Sequence, residues 1–338
     1  TTKFINHLKP KTTMTYLENS KQYTGSDLEN IFFRPMLTGE SAQDLGVRVL
    51  YNMPQPTHVQ LWDGQRNILQ KFTSAGWAGG KAATKYEKTV NLNRVKAELG
   101  FSAANYFSMV YEKVSSLANT HMDDLSGTEL EQAETALFKQ ALAENIRVTM
   151  WIGDTSAASG YNTFDGLLKR INGLVDDDGV YNFAYQAAAL EDPAYAVELF
   201  DKLWAGADPR IPGLKADDRL AYFVSSDIYR LYEKYLDAKG ADAAYADAMN
   251  GRRTLAYHGI PVVDVRLGSY LGATSFRQSF VMLTDRRNLV LAVNTADMPG
   301  NEVRMWYNPD EMENRQRAVF MAGTQILDEA LISFAYKQ

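Results

Sequence analysis

The sequence predicts a mixed α+β fold with more than one lobe. The chain has 338 residues, of which 46% are hydrophobic and 22% charged, so it exceeds one average domain and can bury a sizeable core. A continuous apolar stripe at helical spacing between Leu130 and Ile146 predicts one long helix. Before and after it, apolar and polar residues alternate with the period of β-strands.

The start of the chain predicts an arm followed by a short helix. Residues 1–25 are polar and irregular, and Lys9-Pro10-Lys11 disfavours a packed element. Ser26 and Glu29 have the spacing of a helix capping box, and Pro35 ends the apolar run behind it. We therefore expect an N-terminal arm with a short helix over residues 1–45.

A strand and a hairpin are predicted next. From Val47 the apolar residues recur with a period of two. Val59 and Leu61 then lead to Asp63-Gly64, and Ile68–Phe72 follows. Asp-Gly between two apolar runs is a strong signal for a hairpin turn. Residues 59–97 are therefore expected to form an extended loop.

The second half of that loop carries a long strand whose buried face changes. Its apolar residues alternate first in one phase and then in the other: Tyr86, Val90 and Leu92, then Val95, Ala97 and Leu99. A shift of one residue turns the opposite face inwards, so a bulge or a new packing partner is expected near Asn93. Because a two-stranded arm with polar faces is not stable alone, we expect a partner subunit to cover it.

The long helix has clear end signals. Thr128 and Glu131 form a capping box, and Gly153 is the predicted stop. A helix of about 25 residues would be roughly 37 Å long, which is enough for a structural spine.

Helices and strands alternate in the second half. One helix is expected from Asp192-Pro193 to Trp204, ending at Gly206, and Ser225 or Ser226 caps the next. Strands are expected at Arg253–His258, Pro261–Val265, Phe276–Met282, Leu289–Val293, Arg317–Met321 and Ile326–Tyr336. Since proline cannot donate to a strand ladder, the strand with Pro261 is expected at a sheet edge or to start there.

Composition excludes several classes of function. The formal net charge of −6 argues against a protein that binds nucleic acid through clustered basic residues, although not against one that encloses it. Without cysteine there are no disulfides, thiolate metal sites or cysteine nucleophiles. No apolar run reaches the length of a membrane span.

Three motifs that suggest chemistry do not meet its requirements. Gly76 to Lys81 resembles a phosphate loop, but Ala75 and Ala82 occupy required positions and a strand follows instead of a helix. Asp176-Asp177-Asp178-Gly179 resembles a calcium loop but lacks the first and last ligands, so a turn is favoured. His121-Met122-Asp123-Asp124 has no second histidine at ligand spacing. We therefore predict no catalytic residue, no metal and no cofactor.

Three stretches, in order, resemble the major capsid proteins of tailed bacteriophages, the Hong Kong 97 fold family. They are Trp151-Ile152-Gly153-Asp154 with Gly160 and Phe164–Leu168, then Phe223–Ser226 with Leu255 and His258–Val262, and finally Arg317–Tyr336. Upstream, Ala75-Gly76-Trp77 resembles the approach to the family's extended loop. Many members carry an acid soon after this Trp, whereas this chain has Gly79-Gly80. The resemblance covers nearly the whole chain from about Ser26.

The resemblance implies a division of the chain and a structural function. The implied parts are an arm at 1–45, a peripheral domain with the spine helix at 46–58, 98–153 and 312–338, the extended loop at 59–97, and an axial domain at 154–311. Subunits would assemble into pentamers and hexamers of an icosahedral shell around phage double-stranded DNA, in the bacterial host cytoplasm, as a virion capsid. Expected partners are other copies, a scaffold, a portal and a maturation protease, with no membrane and no sequence-specific DNA contact.

Contacts between subunits are expected in residues 60–97. The candidate residues are Gly76, Trp77, Gly79, Gly80, Lys81 and Lys85. For the covalent crosslinks known in the family, Lys71, Lys81, Lys85 and Lys88 are candidates by location alone. Two alternatives stay open. One is an encapsulin shell that encloses cargo enzymes, and the other is an α/β enzyme with Asp154, Asp165 and the acids at 176–178 around a pocket.

Overall fold

The computed structural model confirms the mixed α+β class. It describes residues 21–24, 27–28, 31, 46–53, 57–62, 85–102, 129–175, 177, 179–239, 245–246, 254–271, 278–294, 301–308, 310–311 and 313–338. The α-helices in these ranges are α1 (Glu129–Ile152), α2 (Leu167–Asn172), α3 (Tyr195–Ala205), α4 (Ile211–Lys215) and α5 (Ser226–Ala238). Short 3₁₀ helices lie at Ala187–Glu191, Arg286–Asn288 and Glu329–Leu331. None of the described helices is both long enough and apolar enough to cross a membrane.

Fifteen strands lie in the same described ranges. They are β1 (Lys21–Tyr23), β2 (Arg48–Tyr51), β3 (Thr57–Trp62), β4 (Lys85–Val90), β5 (Asn93–Ser102), β6 (Tyr181–Tyr185), β7 (Leu220–Val224), β8 (Tyr245–Ala246), β9 (Thr254–Tyr257), β10 (Ile260–Asp264), β11 (Phe280–Asp285), β12 (Leu289–Asn294), β13 (Glu302–Asn308), β14 (Glu313–Ile326) and β15 (Ile332–Lys337).

The chain divides into two compact units. The first unit takes Thr1–Met36, Lys96–Ala143 and Thr295–Phe320, and the second takes Leu37–Val95, Glu144–Asn294 and Met321–Gln338. In the first unit β1 pairs with β13, and β13 pairs with the first part of β14, both antiparallel. Thr135 of α1 donates a hydrogen bond to the sulfur of Met305 in β13 (3.6 Å). Phe138, one turn further along α1, is buried at 1% exposure.

The predicted long helix is confirmed as α1. It begins at Glu129, one residue after the predicted cap, and ends at Ile152, immediately before Gly153. The apolar stripe explains its burial, because Phe138, Leu142 and Ile146 each expose less than 5% of their surface.

The second unit contains a seven-stranded sheet in the order β6-β15-β11-β7-β10-β9-β8. One face is covered by α3 and α5, whose stripes at helical spacing bury Phe200 and Ile228 against Tyr222 and Leu283. Against the other face lies Trp151 at the end of α1, with its ring 5.7 Å from Phe223.

The start of α5 is capped differently from the prediction. Ser225 is the residue before the helix, as expected, but its hydroxyl makes no capping hydrogen bond to the helix backbone. It donates instead to Asp227 (2.5 Å) and lies 3.4 Å from the hydroxyl of Ser279. Ser279 in turn lies 2.6 Å from the buried hydroxyl of Tyr185. The serine therefore joins a buried polar group that also ties β6 to the start of β11.

Of the two alternatives predicted for Pro261, a sheet edge or the start of a strand, the structure shows a position near the start of a strand that is not at the edge. Strand β10 lies between β7 and β9, with Pro261 as its second residue and opposite Ala256. Parallel pairing with β7 begins one residue later, at Val262. The missing N–H of Pro261 therefore removes no bond from that ladder. Strand β9 ends at Tyr257, and His258 with Gly259 forms a tight turn with positive φ angles of 49° and 79°.

Near the two ends of the predicted extended loop, β3 and β4 form a two-stranded antiparallel sheet, called the hairpin β3/β4 below. Thr57 pairs with Val90, and Trp62 pairs with Lys85. The predicted Asp63-Gly64 turn and the segment Ile68–Phe72 lie outside the described residues. The expected change of phase is confirmed, since β4 stops at Val90 and β5 starts at Asn93. Of the predicted irregular arm, residues 21–24 are described, and Lys21–Tyr23 form β1, a strand paired with β13, where no packed element was expected. Most of the short helix near Ser26 lies outside the described residues.

Candidate functional site

The base of the hairpin β3/β4 rests on a small apolar core of the second unit. The core combines side chains from the hairpin, from β12 and from the turn after β14: Val59, Val90, Leu92, Val290, Ala292 and Leu327. All six expose 8% of their surface or less. Burial of aliphatic side chains at this level stabilises by about 1.5–3 kcal/mol each. The hairpin is therefore fastened firmly at its base.

Two polar contacts add to this attachment. The side-chain amide of Gln325 in β14 donates a hydrogen bond to the backbone oxygen of Thr89 in β4 (2.8 Å). The ammonium of Lys88 lies 2.7 Å from a carboxylate oxygen of Glu329. That ion pair is more than a third exposed, so its contribution is about 0–1 kcal/mol. The hydrogen bond of Gln325 is the more directional of the two.

Just after β4, the backbone of the chain crosses β14 and touches it. A Cβ atom built on Gly323 would lie 2.2 Å from the backbone oxygen of Asn91. That distance is far below any real Cβ contact, so only glycine fits at the crossing. Asn91 lies in the break between β4 and β5, where the chain changes its buried face.

A second compact arrangement follows the end of α1. The backbone N–H of Gly153 donates to Thr149 (2.8 Å), and that of Gly166 donates to the carbonyl of Gly153 (2.8 Å). Asp154 donates its N–H to the carbonyl of Tyr161 (2.9 Å), which closes the loop between the two glycines. These bonds satisfy carbonyls at the helix end and fix the entry to α2.

Lys169 of α2 forms ion pairs with both acids of this loop. Its ammonium lies 2.7 Å from Asp154 and 2.6 Å from Asp165. Asp154 also accepts from the hydroxyl (2.5 Å) and the N–H (2.9 Å) of Ser156. The hydrogen bonds from Lys169 and Ser156 lower the pKa of Asp154 from its ordinary 3.8 to about 2. Both acids are therefore used in structural contacts.

This geometry does not support the acidic pocket of an enzyme. Asp177 accepts from the N–H of Gly179 (2.8 Å), which is turn chemistry. Asp176, Asp178 and the cluster at His121 lie outside the described residues. Within the described ranges, no group of three or more His, Asp or Glu side chains is placed to hold a metal ion.

The predicted subunit-contact residues fall mostly outside the described part of the chain. Gly76, Trp77, Gly79, Gly80 and Lys81 lie in the undescribed segment between β3 and β4, as does Lys71. Lys85 is the first residue of β4, opposite Trp62. Lys88, named as a crosslink candidate, pairs with Glu329 in the same chain.

Sequence reasoning missed Gln325 and Lys169. For Lys169 a local signal exists, because it follows Asp165 by four residues on a helix start, a spacing that favours ion pairs. For Gln325 none exists, because its partner Thr89 is 236 residues away.

Known proteins resemble this chain in structure and not in sequence. No protein-family model matches it, and no curated protein matches it. A chain of the satellite phage P4 procapsid aligns with a TM-score of 0.56 at 10% identity, covering 89% of this chain and 96% of that one. A chain of Gordonia phage Cozz aligns with a TM-score of 0.50 at 11% identity, covering 88% and 86%. At these identities the likeness is one of fold, and it spans nearly the whole chain.

Proposed function

Because the chain has the fold of phage major capsid proteins, we propose that it is a shell-building subunit and not an enzyme. The observation that carries the proposal is the alignment with the P4 procapsid chain over 89% of this chain. The hairpin β3/β4 supports it. A two-stranded hairpin is marginally stable by itself, so it gains stability from a further surface to pack on. A neighbouring subunit supplies such a surface in a closed shell.

The finer form of the proposal follows the family resemblance. Subunits form pentamers and hexamers of an icosahedral shell around double-stranded DNA, and residues 60–97 overlap the neighbouring subunit. Gly76, Trp77 and Lys81 lie in that overlap. The net charge of −6 gives DNA little attraction to the subunit, so filling the shell requires an external motor. A scaffold, a portal and a maturation protease are the further partners, and assembly occurs in the host cytoplasm.

The described acids support a structural function. Asp154 and Asp165 share one lysine at 2.7 and 2.6 Å, and this pairing holds the loop that connects α1 to α2. An acid or base in catalysis needs access to a substrate and a pKa near the working pH, whereas Asp154 has a pKa of about 2.

The test is electron microscopy of the purified chain, with light scattering on the same sample. We expect closed particles of uniform diameter. Deletion of Gly76 to Thr84 is expected to leave folded monomers or capsomers without shells, because the overlap is lost. The unfolding midpoint of the deletion variant is the control for folding, and it should stay within about 2 °C of the wild type because surface changes cost little.

Three outcomes would contradict the proposal. Normal-sized shells from the deletion variant would exclude the overlap. A monodisperse wild-type monomer that binds a metal or small ligand would favour the enzyme. Shells that enclose a protein cargo and exclude DNA would favour an encapsulin.

A further inference from the structure

Gln325 connects a helix to the hairpin through both ends of one side-chain amide. Its Oε1 accepts from the guanidinium of Arg170 in α2 (3.1 Å), and its Nε2 donates to the backbone oxygen of Thr89 in β4 (2.8 Å). The same Oε1 accepts from the N–H of Ile326 (3.1 Å). The amide is therefore held in one orientation by three partners.

The amide of Gln325 satisfies both ends of this bridge, whereas a carboxylate cannot. Arg170 can only donate, and the carbonyl of Thr89 can only accept, so the residue between them must accept at one end and donate at the other. A glutamate at position 325 would bind the guanidinium more strongly but would present a charged oxygen to the carbonyl of Thr89. Glutamine and glutamate have nearly the same shape, so exchange between them isolates the contact with Thr89.

The helix side of the bridge is firmly placed. Arg170 also donates through Nε to the hydroxyl of Thr324 (3.3 Å), and this hydroxyl donates to the backbone oxygen of Asp165 (2.5 Å). Thr324 is fully buried, and burial lowers the pKa of the Arg170 guanidinium. The loop after α1, the helix α2 and strand β14 are thus tied together.

Besides its apolar core and the ion pair of Lys88, the hairpin side has two contacts at the backbone. Near Gly323 the backbone of Asn91 crosses β14 at van der Waals distance, which fixes a point through which the strand must pass. Two residues away on each strand, Gln325 holds Thr89 by a directional hydrogen bond. The apolar core under the hairpin and the ion pair of Lys88 also hold the strand in place. The hydrogen bond of Gln325 adds a directional contact to the backbone of β4, and this contact helps to set the direction in which β4 leaves the core.

We propose that Gln325 is a positioning residue that fixes the direction of the extended hairpin through Thr89, and that this direction specifies the size of the shell. The second part rests on the proposed shell function. In a closed shell each subunit reaches its neighbour through the hairpin. A change in the angle of the hairpin therefore changes the angle between subunits, and the angle between subunits determines the diameter at which the shell closes.

The experiment uses Gln325→Glu, with Gln186→Glu as the matched control. Gln186 is exposed, and its amide contacts only the side chain of Gln338 (2.7 Å) among the described hydrogen bonds, so the control makes the same change of charge away from the hairpin. Backbone hydrogen exchange of residues 85–90 is measured for all three proteins in the same state of assembly. Particle diameters are then measured by electron microscopy.

We expect exchange in residues 85–90 to become about 10-fold faster in Gln325→Glu, the effect of losing one well-made hydrogen bond. Exchange in β7 should not change, since β7 pairs with β10 and β11 in the seven-stranded sheet, whereas Gln325 lies in β14 of another sheet. Particles of the variant should differ in diameter from wild type or lose their uniformity, whereas Gln186→Glu should behave as wild type.

Unchanged exchange in residues 85–90 would overturn the positioning role. Faster exchange with particles of wild-type diameter and uniformity would overturn the link to shell size. If the wild type formed no particles, the proposed function would fail, and the exchange measurement would still decide the role of Gln325. If Gln325→Glu did not fold, the neutral Gln325→Met, which also removes the bond to Thr89, is measured against the same criteria.

Discussion

Substitution of alanine for Gly153, at the end of α1, adds one methyl group and should clearly destabilise the second unit. A Cβ atom at Gly153 would lie 2.1 Å from the backbone oxygen of Phe164 and 2.6 Å from that of Thr149. Real Cβ contacts are essentially never shorter than 3.0 Å. The segment that contains Phe164 would have to move by about 1 Å, a displacement that packed interiors resist.

A movement of this segment breaks backbone hydrogen bonds, and the sum of their free energies is part of the expected loss of stability. Two backbone bonds depend on the placement of this segment, from Gly166 to Gly153 and from Asp154 to Tyr161. The loss of two hydrogen bonds at about 1 kcal/mol each, together with about 1–3 kcal/mol for overpacking, predicts that Gly153→Ala lowers the free energy of unfolding by roughly 3–5 kcal/mol.

The assay is urea unfolding of unassembled subunits, followed by circular dichroism, with Gly213→Ala as the control. Gly213 lies in α4, and a Cβ atom there would meet nothing within 4 Å. Alanine is a better helix former than glycine, so the control should gain about 0.5–1 kcal/mol. A loss below about 1 kcal/mol in Gly153→Ala would refute the reasoning, because it would mean that the loop yields freely.

Two further substitutions test the polar contacts. Lys169→Met should raise the pKa of Asp154 from about 2 towards its ordinary 3.8, as measured by NMR titration of the carboxyl group. The lowered pKa of Asp154 stabilises the fold above pH 3.8, and this contribution disappears as the pH falls towards 2. The variant should therefore lose less stability than wild type between pH 3.8 and pH 2. An equal loss in the two proteins would argue against the pairing of Lys169 with Asp154. Tyr185→Phe removes a buried hydrogen bond to Ser279 (2.6 Å) and should lower the free energy of unfolding by about 1–2 kcal/mol in urea, so an unchanged value would count against that bond.

Elements with local signals were predictable from the sequence. The stripe and end signals of α1 place it within one residue of its observed bounds, and the change of phase after Leu92 marks the break before β5. The fold likeness to phage capsid proteins was anticipated from ordered motifs such as Gly153-Asp154. In each case the information lies within a few residues along the chain.

Other features of the fold depend on contacts between residues that are distant in the sequence, and a local sequence pattern does not predict such contacts. Because proline lacks an N–H, the sequence predicts Pro261 at a sheet edge or at the start of a strand; it is the second residue of a central strand, where parallel pairing with β7 starts only at the next residue. Strands β6 and β13 were not predicted. The bridge through Gln325 joins segments 236 residues apart, and its importance appears only when the amide is seen between a donor and an acceptor.

The attachment of the hairpin has a consequence for the order of events during synthesis. Strand β4 is made early, whereas Gln325 and Glu329, which hold it, follow 236 and 241 residues after their partners. Strand β15, which lies between β6 and β11 in the seven-stranded sheet, is made later still. At about 5–20 residues per second, a ribosome needs on the order of 10 to 50 seconds to cover that interval. Throughout it, the contacts of Thr89 with Gln325 and of Lys88 with Glu329 cannot form in a nascent chain, so the attachment of the hairpin is completed only when synthesis is nearly finished.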